Sequence, residues 1–183
     1  LDVVYTAFQV KHANLKACVD GMRAMGISGL NVTVPHKEAI LPFVDNESEQ
    51  VRMLGAANTL ANENGKIVAH VTDPYGFIES LGQNKTRFKG ASVLMFGAGG
   101  AAKSVAFALS QLGVRQLLIS DLIAAKSVEL AKMARAFGLK EATALEPPLA
   151  PMKEIIKHTP IIINATAVGM HPHEAKSVVK HYD

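Results

Sequence analysis

Ser92-Val93-Leu94-Met95-Phe96-Gly97-Ala98-Gly99-Gly100-Ala101-Ala102 is an apolar run of strand length that breaks into glycines and then into a helix-forming stretch, Ala101 to Leu112. The glycine-rich part has the form G-x-G-x-x-A, and its positions have separate uses. Gly97 permits a tight turn, Gly99 lets backbone approach a pyrophosphate, and the small Ala102 lets the helix pack closely on the sheet. Ala98, Gly100 and Ala101 complete the turn and the first helical turn, whose N–H groups and dipole suit an anion. A glycine-rich turn alone is common, but here strand, turn, helix and a further strand, Arg115 to Ser120, follow in register, which is the dinucleotide-binding pattern.

Working outward, Asp121 closes that next strand about 20 residues beyond the fingerprint, where the ribose-binding acid is expected. The same carboxylate suits the N-cap of the following helix, Ala124 to Phe137, and both roles stay open. A carboxylate there repels a 2′-phosphate, and no arginine stands beside it, so NAD is favoured with NADP as the alternative; Lys126 is the main reservation. After Pro147-Pro148 a short helix and an apolar strand, Ile161 to Asn164, continue the alternation. This rhythm of strands and helices predicts a Rossmann-like, doubly wound parallel sheet over residues 85–183.

Upstream, the polar, unpatterned stretch Gly82 to Gly90 is the best boundary, which leaves 1–84 as an α/β domain of its own. There we expect strands at Val3 to Phe8, Gly29 to Val34, Asn58 to Ala61 and Lys66 to Val71, the last two joined by the turn-forming pair Asn64-Gly65. Helices are expected at Leu15 to Met25, from Pro35 through Lys37 to Phe43, at Glu47 to Leu54, and from Thr72 to Leu81.

Composition excludes several classes. Hydrophobic residues make up 49% of the chain, enough for a core, and the net charge of +3 is dispersed with no basic block, which argues against nucleic acid. No run is long and apolar enough for a membrane span and no leader opens the chain, so a cytoplasmic protein is expected. The single cysteine, Cys18, excludes an internal disulfide and reads as a buried thiol in a helix. The histidines lack metal-ligand spacing, and no metal is expected. Leu1 lies inside a strand-like run and Asp183 follows no stop signal, so the chain reads as a fragment lacking both termini.

Three polar clusters lie beside strands in the first half: Asn31-Val32-Thr33-Val34-Pro35-His36-Lys37, Gly55-Ala56-Ala57-Asn58-Thr59-Leu60 and Thr72-Asp73-Pro74-Tyr75-Gly76-Phe77. Each alone is ordinary turn chemistry. Together with Gly97 to Ala102 and with Asn164-Ala165-Thr166-Ala167-Val168-Gly169-Met170, they resemble the shikimate dehydrogenase family, including its quinate/shikimate members, along nearly the whole chain.

The resemblance implies reversible oxidation of the ring 3-hydroxyl of shikimate to 3-dehydroshikimate, and of quinate in some members, by a monomer or homodimer. It implies Lys37 and Asp73 as the catalytic pair, with Asn58, Asn31 and Thr33 on substrate. Thr166, Val168, Gly169 and Met170 are implied at the nicotinamide. The two catalytic groups are expected to converge across a cleft from the glycines.

Lysine is a base only when neutral; burial and the positive end of a helix beginning at Pro35 would favour that form, whereas an ionised Asp73 nearby would oppose it. His36 points elsewhere on such a helix and is expected to be structural. Two features depart from the family: Val71 replaces an Asn before Thr-Asp, and Ser120-Asp121-Leu122 replaces Asn-Arg-Thr, which favours NAD. The segment binding the substrate carboxylate is expected before Leu1. A competing reading keeps the fold as a nucleotide sensor without turnover, against which the retained Lys37, Asp73 and Asn58 speak.

Overall fold

The computed structural model describes residues 2–146, 152–172 and 174–179; Pro147-Pro148 lies outside them. The chain divides into two compact units, Leu1–Thr72 and Asp73–Asp183. The sequence reading set its boundary at 84/85, whereas the packing division falls earlier because helix α3 (Asp73–Ser80) lies against α4 (Gly100–Gln111) of the second unit. Among the described residues no helix is long and apolar enough to cross a membrane.

In the second unit β5 (Ser92–Phe96), β6 (Gln116–Ser120), β7 (Glu141–Leu145) and β8 (Ile161–Asn164) form a parallel sheet in the order β7-β6-β5-β8. Every residue of the inner strand β5 is buried, as a strand covered on both faces requires. Its side chains alternate. Val93 and Met95 enter the core shared with α4 and α5 (Ala124–Ala136), including Leu109, Leu117 and Leu130, while Leu94 and Phe96 face Ile155 and Ile156 of α6 (Met152–His158).

In the first unit a mixed sheet runs β1-β3-β4-β2, from β1 (Gly29–Asn31), β2 (Asn46–Glu47), β3 (Thr59–Glu63) and β4 (Lys66–His70). Helix α1 (Leu15–Ala24) buries Leu15, Val19 and Met22, spaced on one face, against Leu60, Ile67 and Ala69. Complete burial of Val19 and Met22 contributes roughly 1.5–3 kcal/mol each. The β3–β4 hairpin turns at Asn64 and Gly65, both at positive φ as a two-residue turn demands.

Three local expectations are corrected. No α-helix forms between Pro35 and Phe43; turns lead to a short 3-10 helix, Leu41–Phe43. The carbonyl of Lys37, which a helix would give to residue 41, accepts instead from Ala57 N at 2.9 Å. The carbonyl of Glu38 faces a position four residues on that is Pro42, with no N–H to donate. No strand forms at Val3 to Phe8, whose Val4 and Tyr5 are 94% and 81% exposed; apolar composition makes no strand without a ladder partner. Helix α2 (Glu49–Leu54) starts after the expected Glu47, because Ser48 Oγ caps it by accepting from Val51 N at 3.3 Å and Glu47 is paired in β2.

One side chain ties this unit together at its sheet edge. Asp45 Oδ2 accepts from Arg23 Nη2 at 2.8 Å and from Ile67 N at 2.6 Å. These bonds, the Arg23 bond first, hold its carboxyl below the ordinary 3.8. A depressed folded pKa means the stabilisation is full above the unfolded value and is lost as pH falls through the folded one. Asp45→Asn is therefore expected to lower the urea midpoint at neutral pH, with the difference from the parent shrinking below about pH 4. A gap that persists unchanged into acid would refute the assignment.

Candidate functional site

The site in the second unit follows from strand register. Phe96 is paired with Ser120 on one side and with Asn164 on the other, so β5, β6 and β8 end level, and Gly97, Asp121 and Ala165 emerge together at their carboxyl ends. The order reverses between β5 and β8, and such a switch point opens a crevice where open α/β sheets bind ligands.

Gly97 turns the chain at φ +101, and a Cβ there would lie 2.8 Å from Ala165 O and 3.0 Å from Thr166 Cγ2. Only glycine fits. Gly99 and Gly100 are the opposite case: a Cβ at either meets nothing within 4 Å, so their backbone faces open space. Gly99 is the N-cap of α4, whose first turn carries no acidic residue, and Ala102 is fully buried beneath it. The result is an open cradle of backbone N–H groups at a positive helix end, which fits a pyrophosphate.

Asp121 clasps this turn. Its Oδ2 accepts from Ala98 N at 2.8 Å and its Oδ1 from Ile123 N at 2.9 Å. Ile123 occupies the N-cap position of α5, so the carboxylate forms a turn just ahead of the helix instead of capping it as the N-cap residue. A carboxylate offers about four lone-pair sites, so both oxygens keep capacity for ligand hydroxyls. Leu122 beside it is 93% exposed and brings no charge.

The loop after β8 carries Thr166, Val168, Gly169 and Met170 to the same edge. Gly169 sits at φ +88, and Met170 N donates to Ala167 O at 3.1 Å, closing the turn. Ala165 N donates to Phe96 O at 2.8 Å. Asn164, not singled out by sequence reasoning, bonds to both Thr166 and Val168. Its signal was present, since an Asn ending an apolar strand two residues before a Thr is a side chain placed to bond its own loop.

In the first unit Asn31, Thr33, Lys37 and Asn58 gather at one end of β1 and β3. Val32 N donates to Asn58 O at 2.8 Å, and the Lys37 carbonyl is held by Ala57 N, the neighbour of Asn58. Asn58 Oδ1 accepts from Thr72 N and its Nδ2 donates to Thr72 Oγ1, each at 2.9 Å, so its amide has a fixed orientation. Asn31 Oδ1 accepts from Tyr5 OH at 3.2 Å, and Asn31 Nδ2 reaches Thr59 Oγ1 at 3.4 Å; Tyr5 and Thr59 were missed because neither stands out by spacing.

Lys37 is half-buried and Thr33 exposed. Asp73 opens α3, in the second unit. His36 Nε2 lies 2.9 Å from Val10 O, and its Nδ1 is buried without a hydrogen-bond partner, the position of a ring that holds the N-terminal segment. A shallow hollow of about 290 Å³, lined by Val44, Asp45, Asn46, Glu47 and Arg52, lies at the opposite sheet edge and includes none of these residues.

A model of the shikimate dehydrogenase substrate binding domain matches residues 1–60. The shikimate dehydrogenase (NADP(+)) of Caldanaerobacter subterraneus subsp. tengcongensis is 38% identical over 178 residues, 96% of this chain and 62% of that protein. The crystal structure of shikimate 5-dehydrogenase from Listeria monocytogenes in complex with shikimate and NAD aligns with a TM-score of 0.87 at 29% identity, covering 97% of this chain and 63% of that one. The chain is thus similar to shikimate dehydrogenases along nearly all of its length.

Quinate dehydrogenase from Corynebacterium glutamicum in complex with NAD is a further structural relative, with a TM-score of 0.79 at 34% identity over 87% of this chain and 57% of that one. The chain spans about three fifths of the length of the curated shikimate dehydrogenases it matches. The family's architecture, a substrate-binding α/β domain with a Rossmann-like domain, is the one described above.

Proposed function

We propose that this chain carries the catalytic and cofactor-binding parts of a shikimate dehydrogenase, which reversibly oxidises the ring 3-hydroxyl of shikimate to 3-dehydroshikimate. Quinate is a second substrate in this reading. The observation that carries it is the switch-point cradle, Gly97 to Ala102 clasped by Asp121, in a chain whose other unit gathers Asn31, Thr33, Lys37 and Asn58.

When bound, the nicotinamide dinucleotide supplies the hydride acceptor. Gly97, Ala98, Gly99, Gly100, Ala101 and Ala102 hold its pyrophosphate, Asp121 its ribose, and Thr166, Val168, Gly169 and Met170 border the nicotinamide. Loss of hydride from a carbinol carbon requires loss of the hydroxyl proton. Lys37 Nζ, neutral, accepts that proton while Asp73 orients the amine or relays the proton onward. No α-helix begins at Pro35, so the helix dipole expected beside Lys37 is not available to it. Asn58, oriented by Thr72, holds substrate hydroxyls together with Asn31 and Thr33. Rates of nicotinamide reduction by the full-length protein with shikimate and with quinate test this reading, and no reduction with either alcohol overturns it.

NAD is the favoured cofactor, supported by the Asp121 carboxylate and the uncharged, exposed Leu122. Removing the repelling charge and adding an arginine, Asp121→Asn with Leu122→Arg, is expected to shift the ratio of kcat/KM values toward NADP about a hundredfold, the scale of a charge-assisted bond plus relief of repulsion. A parent enzyme that already prefers NADP refutes the argument.

A further inference from the structure

Asn164, the last residue of β8, uses both ends of its side-chain amide on the loop that follows. Its Oδ1 accepts from Thr166 N at 3.0 Å and from Thr166 Oγ1 at 2.6 Å, and its Nδ2 donates to Val168 O at 2.8 Å. With its hydroxyl proton committed to Asn164, Thr166 Oγ1 accepts from Val168 N at 3.0 Å. Both backbone polar groups of Val168 are therefore directed by one amide and one hydroxyl. Past Val168, Gly169 turns at φ +88 where a Cβ would meet Lys176 O at 3.1 Å, so the loop has little freedom to compensate.

We infer that Asn164 is a positioning residue for the nicotinamide end of the cofactor. It fixes the direction of the Val168 carbonyl and N–H, the groups through which residues 166–170 present a shape and a polarity to an aromatic carboxamide. The inference rests on the cofactor reading proposed above. Asn164 acts away from the pyrophosphate: Gly97 is closed on by the Ala165 carbonyl and the Thr166 methyl, the Ala165 N–H is held by Phe96 O independently of the Asn164 side chain, and Asn164 bonds the N–H and hydroxyl of Thr166, not its methyl. A defect at Asn164 is thus expected to fall on the nicotinamide half of the dinucleotide.

The test compares two ligands on the full-length protein by calorimetry: NAD, and ADP-ribose, which lacks the nicotinamide. Asn164→Asp keeps an acceptor for Thr166 but places an oxygen against the Val168 carbonyl, and Asn164→Ala removes both ends. Each is expected to weaken NAD binding about tenfold, as loss of one well-directed hydrogen bond and a new repulsion imply, with ADP-ribose affinity unchanged. Thr166→Val is expected to reproduce the same bias. An unchanged ratio of the two affinities overturns the inference, as does an equal loss for both ligands, which marks a general effect on the fold. A parent protein that binds ADP-ribose and NAD keeps the cofactor reading whatever the variants do; one that binds neither overturns that reading as well.

Discussion

Lys37→Ala is expected to lower turnover by about 10²–10⁴-fold, the usual contribution of a positioned acid or base, with dinucleotide affinity unchanged. The reason is separability. The backbone of residue 37 is anchored through its carbonyl to Ala57 N, so deleting the side chain leaves the anchor and the neighbouring Asn58 in place. His36 does not substitute as base, since its Nε2 is engaged with Val10 O and its Nδ1 is buried. Steady-state rates with both alcohols, beside calorimetric affinity for the cofactor, decide the matter. Near-normal turnover in the variant removes Lys37 from the mechanism, and a rise in KM at constant kcat reduces it to a binding group.

Gly97→Ala is expected to abolish measurable dinucleotide binding and to destabilise the second unit by roughly 2–5 kcal/mol, from backbone strain at φ +101 and the overlap of a methyl with Ala165 O. Gly99→Ala separates the two effects. Gly99 has φ −84 and open space at its Cβ position, so the methyl strains nothing. It instead projects into the space where phosphate must approach, and is expected to weaken binding at least about tenfold while leaving the urea midpoint in place. Equal stability of the Gly97→Ala protein, or undiminished cofactor affinity in the Gly99→Ala protein, overturns this account of the cradle.

The contrast between the two units explains what was legible in the chain. Strands β5, β6 and β8 are apolar runs bounded by glycine, by Asp121 and by Asn164, and all three were found within a residue of their observed limits. Burial on both faces writes itself into composition. Strand β7 was missed: Glu141-Ala-Thr-Ala-Leu145 is an edge strand with exposed Glu141 and Thr143, and its short alternation does not rise above that of a loop. The first unit holds its shape through side-chain bonds to backbone, such as Asp45 Oδ2 accepting from Ile67 N and Asn62 Nδ2 donating to Ile27 O. Distant pairings of this kind leave no periodic trace. A distant backbone pairing is likewise why the expected helix at Lys37 failed, since its decisive competitor, Ala57 N, lies far along the chain.

The candidate residues divide the same way. The fingerprint glycines and Asp121 are readable because each answers a local demand, as does Asn164 in bonding its own loop, whereas Tyr5 acts through Asn31, a partner that only the fold brings near.

Gly97 lies so close to Ala165 that any side chain at residue 97 would strike the Ala165 carbonyl, which ties the two segments' conformations together. Anyone recombining this domain with a relative to alter its redox partner must therefore move the two pieces as a single cassette, since a foreign second loop paired with the resident first turn will not close.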